Sequence, residues 1–408
     1  MQNSAIPVQS ATNGELDTTR TGRRLTSWFR RHRSLTLIAI NRMTMAALTG
    51  IFEGGLRVVS PTGLEYRMEF LAHGGLPEDF GTGRAWKMVR NDNHFVSFVP
   101  NSQLDVTHAE YWNRVTIDEF GGRQVLNRSG STELLPFIGD SFTFGIGVDD
   151  GETFVDHLQA ALDWRVLNLG IPGSSLPQHR FVMQRRHKEL GCPALYAVFF
   201  FLGNDFADIL DYRRSHTEHT TQIREKESGN YGKLTAAVNR YVNESWLRYS
   251  YAIQYVRQAA MHATDERRMN PVFMMMDRSN KRYCQETEDA LRYEVELLKA
   301  FGRENEFVFV LIPDCYQVVP ERRRRLGQYY GLDETTLDPL LPNRTAGQVM
   351  QDAGMQVIDP TALIMEHPDT ESLYYVNDNH FAARGHALFA ESIREELTGA
   401  VRNSKHFN

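Results

Sequence analysis

The 408-residue chain carries 45 Lys and Arg against 51 Asp and Glu, a formal net charge of -6. Its basic residues do not gather on one expected face, so nucleic-acid binding has no electrostatic footprint. The three cysteines, Cys192, Cys284 and Cys315, are scattered and odd in number, which indicates neither a disulfide framework nor a cysteine metal site.

Residues 1–34 form a basic amino-terminal segment expected to be disordered. It is polar and rich in Ser, Thr and Asn through residue 22, then carries Arg23, Arg24, Arg30, Arg31 and Arg33. Residues 35–56 follow, apolar except for Asn41, Arg42 and Glu53. Two readings stay open for them. One is a membrane anchor with its basic flank in the cytoplasm, which makes the protein single-pass with an extracytoplasmic catalytic domain. The other is an amphipathic helix lying on a membrane or on the protein itself, compatible with a cytoplasmic location. Arg42 opposes the first reading, because a central arginine costs roughly 2.5–3.5 kcal/mol on insertion scales. Residues 57–132 read as a small, partly extended lead-in punctuated by Gly and Pro.

From residue 133 to about 400, short apolar runs alternate with longer helical patterns, the signature of a parallel sheet with crossover helices. The runs are Leu134–Ile138, Val166–Leu169, Ala194–Leu202, Phe307–Ile312 and Met355–Ile358. Helices are expected where Phe154, Val155, Leu158, Ala161 and Leu162 recur, at Gln178–Leu190 and Thr287–Phe301, and at the end with Leu388, Phe389, Ile393 and Leu397. Pro136 breaks a local rule, since a strand interior disfavours a residue with no amide donor. Residues 207–285 depart from the alternation. Their aromatic-rich pattern, including Trp246, Tyr249, Tyr251, Ile253 and Tyr255, reads as a helical insertion over the carboxyl edge of the sheet, either lining a pocket or extending the core.

Acyl transfer needs a nucleophile, a base, a group that orients the base, and donors for the oxyanion. Candidates for all four fall at strand ends. Gly139-Asp140-Ser141 closes the first run and makes Ser141 a candidate nucleophile; Gly170 closes the second; Gly203-Asn204-Asp205 closes the third. In a doubly wound sheet those ends share one rim. Asn377-Asp378-Asn379-His380 precedes the last helix and offers the base. Gly139-Asp140-Ser141-Phe142, Gly170, Gly203-Asn204-Asp205 and Asp378-x-His380 resemble, in chain order, the four blocks of the SGNH (GDSL-type) hydrolases. The resemblance covers about residues 117 to 397, with the lead-in Pro100-Asn101-Ser102 and the following Gly145-Ile146-Gly147-Val148. It implies a flavodoxin-like three-layer α/β/α fold on a five-stranded parallel sheet, with Ser141 as nucleophile and His380 as general base. The oxyanion hole would be the backbone amides of Ser141 and Gly170 with the side-chain amide of Asn204. The insertion and the basic, apolar amino-terminal segment also resemble bacterial members tethered to a membrane. One departure stands out. The commoner family form places the acid three residues before the histidine, where this chain has Asn377, so Asp378 is the expected orienter, or else the site is a dyad.

Other signals are given plainer roles. Asp140 is expected to cap backbone amides, Asp205 to buttress its loop, and His386 to be a helix residue facing neighbouring structure. Gly145-x-Gly147 lacks the third glycine of a dinucleotide fingerprint, where Asp150 stands. His216 and His219 have no third metal ligand nearby. Arg322–Arg325 reads as a solvated helix face, and Met274–Met276 as core or pocket lining. The α/β-hydrolase elbow is absent, because Thr143 occupies its last glycine position. The expectation is a serine esterase acting without metal or cofactor on a small-molecule, glycan or lipid ester. A carbohydrate O-acyltransferase using the same site and a non-catalytic envelope or binding protein are the alternatives.

Overall fold

The structure, a computed structural model, describes residues 32–59, 98–216 except 109 and 128, 250–256 except 254, 269–302, and 306–404 except 377. The expected disorder of residues 1–22, the basic cluster Arg23–Arg31, much of the lead-in (60–97) and the middle of the insertion, with His219, Trp246 and Tyr249, lie outside the described residues. So does Asn377.

The chain divides into two units, residues 1–59 and 60–408. The first contains helix α1 (Arg33–Val59), which by length and composition alone is long and apolar enough to cross a membrane. At 1.5 Å per residue it is about 40 Å long, against a hydrocarbon core of about 30 Å.

The second unit contains a two-stranded antiparallel hairpin, β1 (Ser102–Thr107) and β2 (Trp112–Ile117), and an all-parallel five-stranded sheet. The sheet strands are β3 (Leu134–Ile138), β4 (Arg165–Asn168), β5 (Leu195–Phe201), β6 (Glu306–Ile312) and β7 (Gln356–Ile358), in the order β4-β3-β5-β6-β7. All seven residues of β5 are buried, which obliges cover on both faces. Alternation distributes them: Ala197, Phe199 and Phe201 join one apolar cluster and Tyr196, Val198 and Phe200 the other. The first face is covered by α3 (Phe154–Gln159) and α12 (Ala383–Ser404), through Phe154, Leu158, Phe389, Ile393 and Leu397. The second is covered by α4 (Leu176–Arg186), α5 (Asp205–His216), α7 (Lys281–Phe301) and α10 (Leu341–Asp352), through Val182, Ile209, Val295 and Val349 among others. This is a three-layer α/β/α arrangement. Shorter helices complete it: α2 (Ser141–Phe144), α6 (Pro271–Met276), α8 (Cys315–Val318), α9 (Pro320–Tyr330) and α11 (Thr361–Met365). The ends of the expected insertion thus belong to the helical layers as α5, α6 and the start of α7.

Pro136 is accommodated by the ladder. The carbonyls of Glu133, Phe137 and Gly139 all accept bonds from the β4 side, so the alternating nitrogen of Pro136 faces β5, whose pairing with β3 begins only at Phe137. The missing amide therefore leaves the β3–β4 ladder intact, and the β3–β5 ladder starts after it. Arg123 bridges the hairpin to the sheet, its amide donating to the Asn168 carbonyl at 3.0 Å and covering the free edge of β4.

Candidate active site

The nucleophile turn is built by close backbone approach. A Cβ on Gly139 would lie 2.1 Å from Thr143 Oγ1, and one on Gly170 would lie 2.3 Å from the Phe144 nitrogen, so both positions exclude any side chain. Asp140 caps α2, its Oδ1 accepting from the Phe142 amide at 2.9 Å, and this leaves Ser141 at the first helical position. Burial pushes the Asp140 carboxyl above its ordinary value despite the opposing pull of His380 and of nearby amides. Beneath the turn lies Arg123, fully buried. Its guanidinium donates to the carbonyls of Phe144 (3.1 Å), Gly145 and Val148 (2.7 Å) and lies 3.3 Å from Asp150.

His380 reaches this turn from the loop before α12. Its Nε2 lies 2.8 Å from Ser141 Oγ and its Nδ1 2.9 Å from Asp378 Oδ2, with the ring packed on Phe142 at a centroid distance of 4.8 Å. In the neutral ring, Ser141 donates to Nε2 while Nδ1–H donates to the carboxylate. The two-residue spacing works because Asn379 adopts φ +63°, folding the chain so that its neighbours' side chains converge. Asn379 is tied on both sides, by the Cys315 thiol at 3.2 Å on its Oδ1 and by its Nδ2 donating to Tyr316 Oη at 3.3 Å.

The electrostatics suit this line. Burial alone would lower His380, but the charge of Asp378 and its hydrogen bond, with Asp140 and Asp314 behind, raise it above the ordinary imidazole value. Burial alone would raise Asp378, yet His380 and the Tyr111 hydroxyl hold it below the ordinary carboxylate range.

The oxyanion donors need one correction. The Gly170 amide is already committed to Asn168 Oδ1 at 3.1 Å, and Asn168 Nδ2 in turn donates to the Thr143 carbonyl at 2.8 Å. Gly170 is therefore small so that β4 can approach the turn, and its amide is not free for a substrate. In the loop that follows, the amides of Ile171, Ser174 and Ser175 bond to Gly139 O, Ile171 O and Gln178 Oε1, and Pro172 has none. Among the described residues this leaves Gly173 as the amide of that loop without a partner. Ser174 Oγ donates to Ile171 O at 2.7 Å and is backed by buried His179 Nε2 at 3.0 Å, which burial pushes down to about 3 and keeps neutral. The Ser141 amide likewise has no partner among the described residues. Asn204, at the end of β5, gives one side-chain hydrogen to Asp208 Oδ2 at 2.6 Å, and its amide group keeps a second.

Several residues that hold the site were not expected. Tyr111 Oη donates to Asp378 Oδ2 at 2.6 Å, and the Glu110 carboxylate accepts from the amides of Val376 (2.9 Å) and Asp378 (3.1 Å). The Arg322–Arg325 run is not a solvated face throughout. Arg322 turns inward and binds Glu371 Oε2 (2.8 Å) and the Tyr375 carbonyl (2.7 Å), while Arg323 donates to the carbonyls of Tyr316 and Gln317. Arg324 alone of these three pairs outward, with Glu321. Asp205 Oδ2 accepts from the Phe201 amide at 3.0 Å, and His386 is buried with Nδ1 accepting from the Phe154 amide at 3.2 Å.

The five-stranded parallel sheet covered on both faces, with the serine turn at the end of β3 and the Asn204 turn at the end of β5, is the three-layer α/β/α fold that the resemblance of the four sequence blocks implies. No family model matches the chain, and no curated protein does. Solved structures do. They include the lipase/acylhydrolase from Enterococcus faecalis, 15% identical over 66% of this chain and 96% of that one, TM-score 0.35. A member of the lipolytic G-D-S-L family from Veillonella parvula is 14% identical over 65% and 98%, TM-score 0.34, and TesA is 13% identical over 65% and 99%, TM-score 0.34. Likeness of this degree leaves reaction and substrate to be argued from the site itself.

Proposed function

We propose that the protein is a serine esterase. The observation that carries this reading is the unbroken line from Ser141 Oγ through His380 to Asp378, with contacts of 2.8 and 2.9 Å. His380 Nε2 takes the Ser141 proton as Oγ attacks an ester carbonyl carbon, and Asp378 stabilises the imidazolium that results. The tetrahedral oxyanion is received by the amides of Ser141 and Gly173 and by the free side-chain hydrogen of Asn204. His380 returns its proton to the departing alkoxide, leaving an acyl-Ser141 ester. Water, deprotonated by the same Nε2, then releases the carboxylic acid. The expected test result is hydrolysis of short acyl esters by the wild type, with Ser141→Ala and His380→Ala each lowering turnover by about 1000-fold or more. Equal hydrolysis by Ser141→Ala would overturn the assignment, and a glycan acceptor in the same assay separates hydrolysis from transfer.

A further inference from the structure

Asp378 meets the histidine it orients through one oxygen, Oδ2, 2.9 Å from His380 Nδ1. In this chain that oxygen, Asp378 Oδ2, is also held from the opposite end of the sequence. Tyr111, in the turn of the β1–β2 hairpin, donates to it at 2.6 Å, 267 residues away in the chain. Beside it, both oxygens of Glu110 accept backbone amides of the acid loop, from Val376 and Asp378. The Tyr111 ring packs on Tyr375 with a centroid distance of 4.8 Å and on His108 at 5.1 Å, and mutual amide-to-carbonyl bonds between His108 and Tyr111 close the hairpin turn. The hydroxyl is thus fixed by ring contacts that do not depend on Asp378.

Resting on the esterase reading, we propose that Tyr111 is a positioning residue of the reaction, fixing Asp378 against His380, so that the β1–β2 hairpin completes the active site. Two donors converge on one carboxylate oxygen, which leaves Asp378 one orientation rather than the swivel a lone contact permits. The phenol also shares the carboxylate charge and so moderates how strongly Asp378 holds the His380 proton. It stays protonated throughout: burial, and next the charge of Asp378, push it far above the ordinary phenol value. The other titratable groups facing this line are Glu110, His108, Tyr375, Asp140 and Asp314.

Tyr111→Phe keeps both ring contacts and removes only the hydroxyl. The expected result is a fall in kcat of about tenfold with KM little changed, below the roughly 100- to 10,000-fold that a group transferring the proton itself contributes, because Tyr111 acts only through Asp378. The acid limb of kcat/KM should also move to higher pH, because an Asp378 freed of its second donor holds the His380 proton more firmly. Replacement of Tyr111 by 3-fluorotyrosine, a stronger donor of nearly the same shape, should move that limb the other way, and it serves as the readout if Tyr111→Phe folds poorly. A purely structural role predicts a lower Tm with kcat and the pH limb unchanged in folded protein, and that result would overturn the proposal. Activity surviving in Ser141→Ala would instead overturn the esterase reading, a separate and recognisable outcome.

Discussion

The two halves of the candidate site are held by opposite means. The Ser141 turn is placed by exclusion: Gly139 and Gly170 leave no room for a side chain, and α2 is capped by its own neighbour, Asp140. The Asp378–His380 loop is placed by attachment, through side chains from Glu110, Tyr111, Cys315, Tyr316 and Arg322. Steric exclusion is all-or-none, whereas a net of attachments loosens one bond at a time. Substitutions in the first region should therefore fail as folding defects, and substitutions in the second as graded losses of rate.

The sharpest way to break this contrast is Gly170→Ala. Its new Cβ meets main-chain atoms of Thr143 and Phe144 at 2.3 to 2.9 Å, and backbone cannot step aside as a side chain can. The expected loss is about 3 kcal/mol of stability or more, read by chemical denaturation. A variant of wild-type stability would mean that β4 does not press on the nucleophile turn. Arg322→Met tests the other region and should do less. It removes bonds to Glu371 and to the Tyr375 carbonyl while keeping the stem that covers neighbouring apolar surface. About 1–3 kcal/mol of stability should go, leaving the carbonyls it served without a partner, and kcat should fall measurably while the protein still folds. If Arg322→Met unfolds the chain and Gly170→Ala does not, the contrast is inverted. The Tyr111→Phe effect on kcat, with little effect on stability, is the smallest of the three.

The same contrast explains what could be read without a structure. Ser141 was legible because the signals that announce its turn are adjacent in sequence: an apolar run, a glycine, a capping aspartate. The five strands were legible for the same reason, with β5 and β6 continuous in apolar character. The role of Gly170 was not, since a small residue serves equally as an open amide or as a place for two backbones to touch; only its bond to Asn168 Oδ1 separates the two. The Pro172-Gly173 pair beside it carried a turn signal that pointed to the free amide. Arg322 also had a local signal: with Leu326 and Tyr329 it falls at i, i+4 and i+7 of α9, on the buried face, so position along the helix separates it from the rest of the arginine run. Glu110 and Tyr111 had none, because the hairpin that carries them and the loop they hold are joined only in three dimensions.

The central claim is that Ser141 is a nucleophile activated by His380, and the most direct measurement is the rate of covalent labelling by a fluorophosphonate as a function of pH, with the modified residue mapped by mass spectrometry. His380 must be neutral to accept the proton, and the charge of Asp378 and its hydrogen bond raise it above the ordinary imidazole value despite burial. Labelling should therefore fall on Ser141, increase as pH rises through a midpoint above that of an ordinary imidazole, and be lost in His380→Ala. Labelling at another residue, or labelling of Ser141 that neither changes with pH nor needs His380, would contradict it.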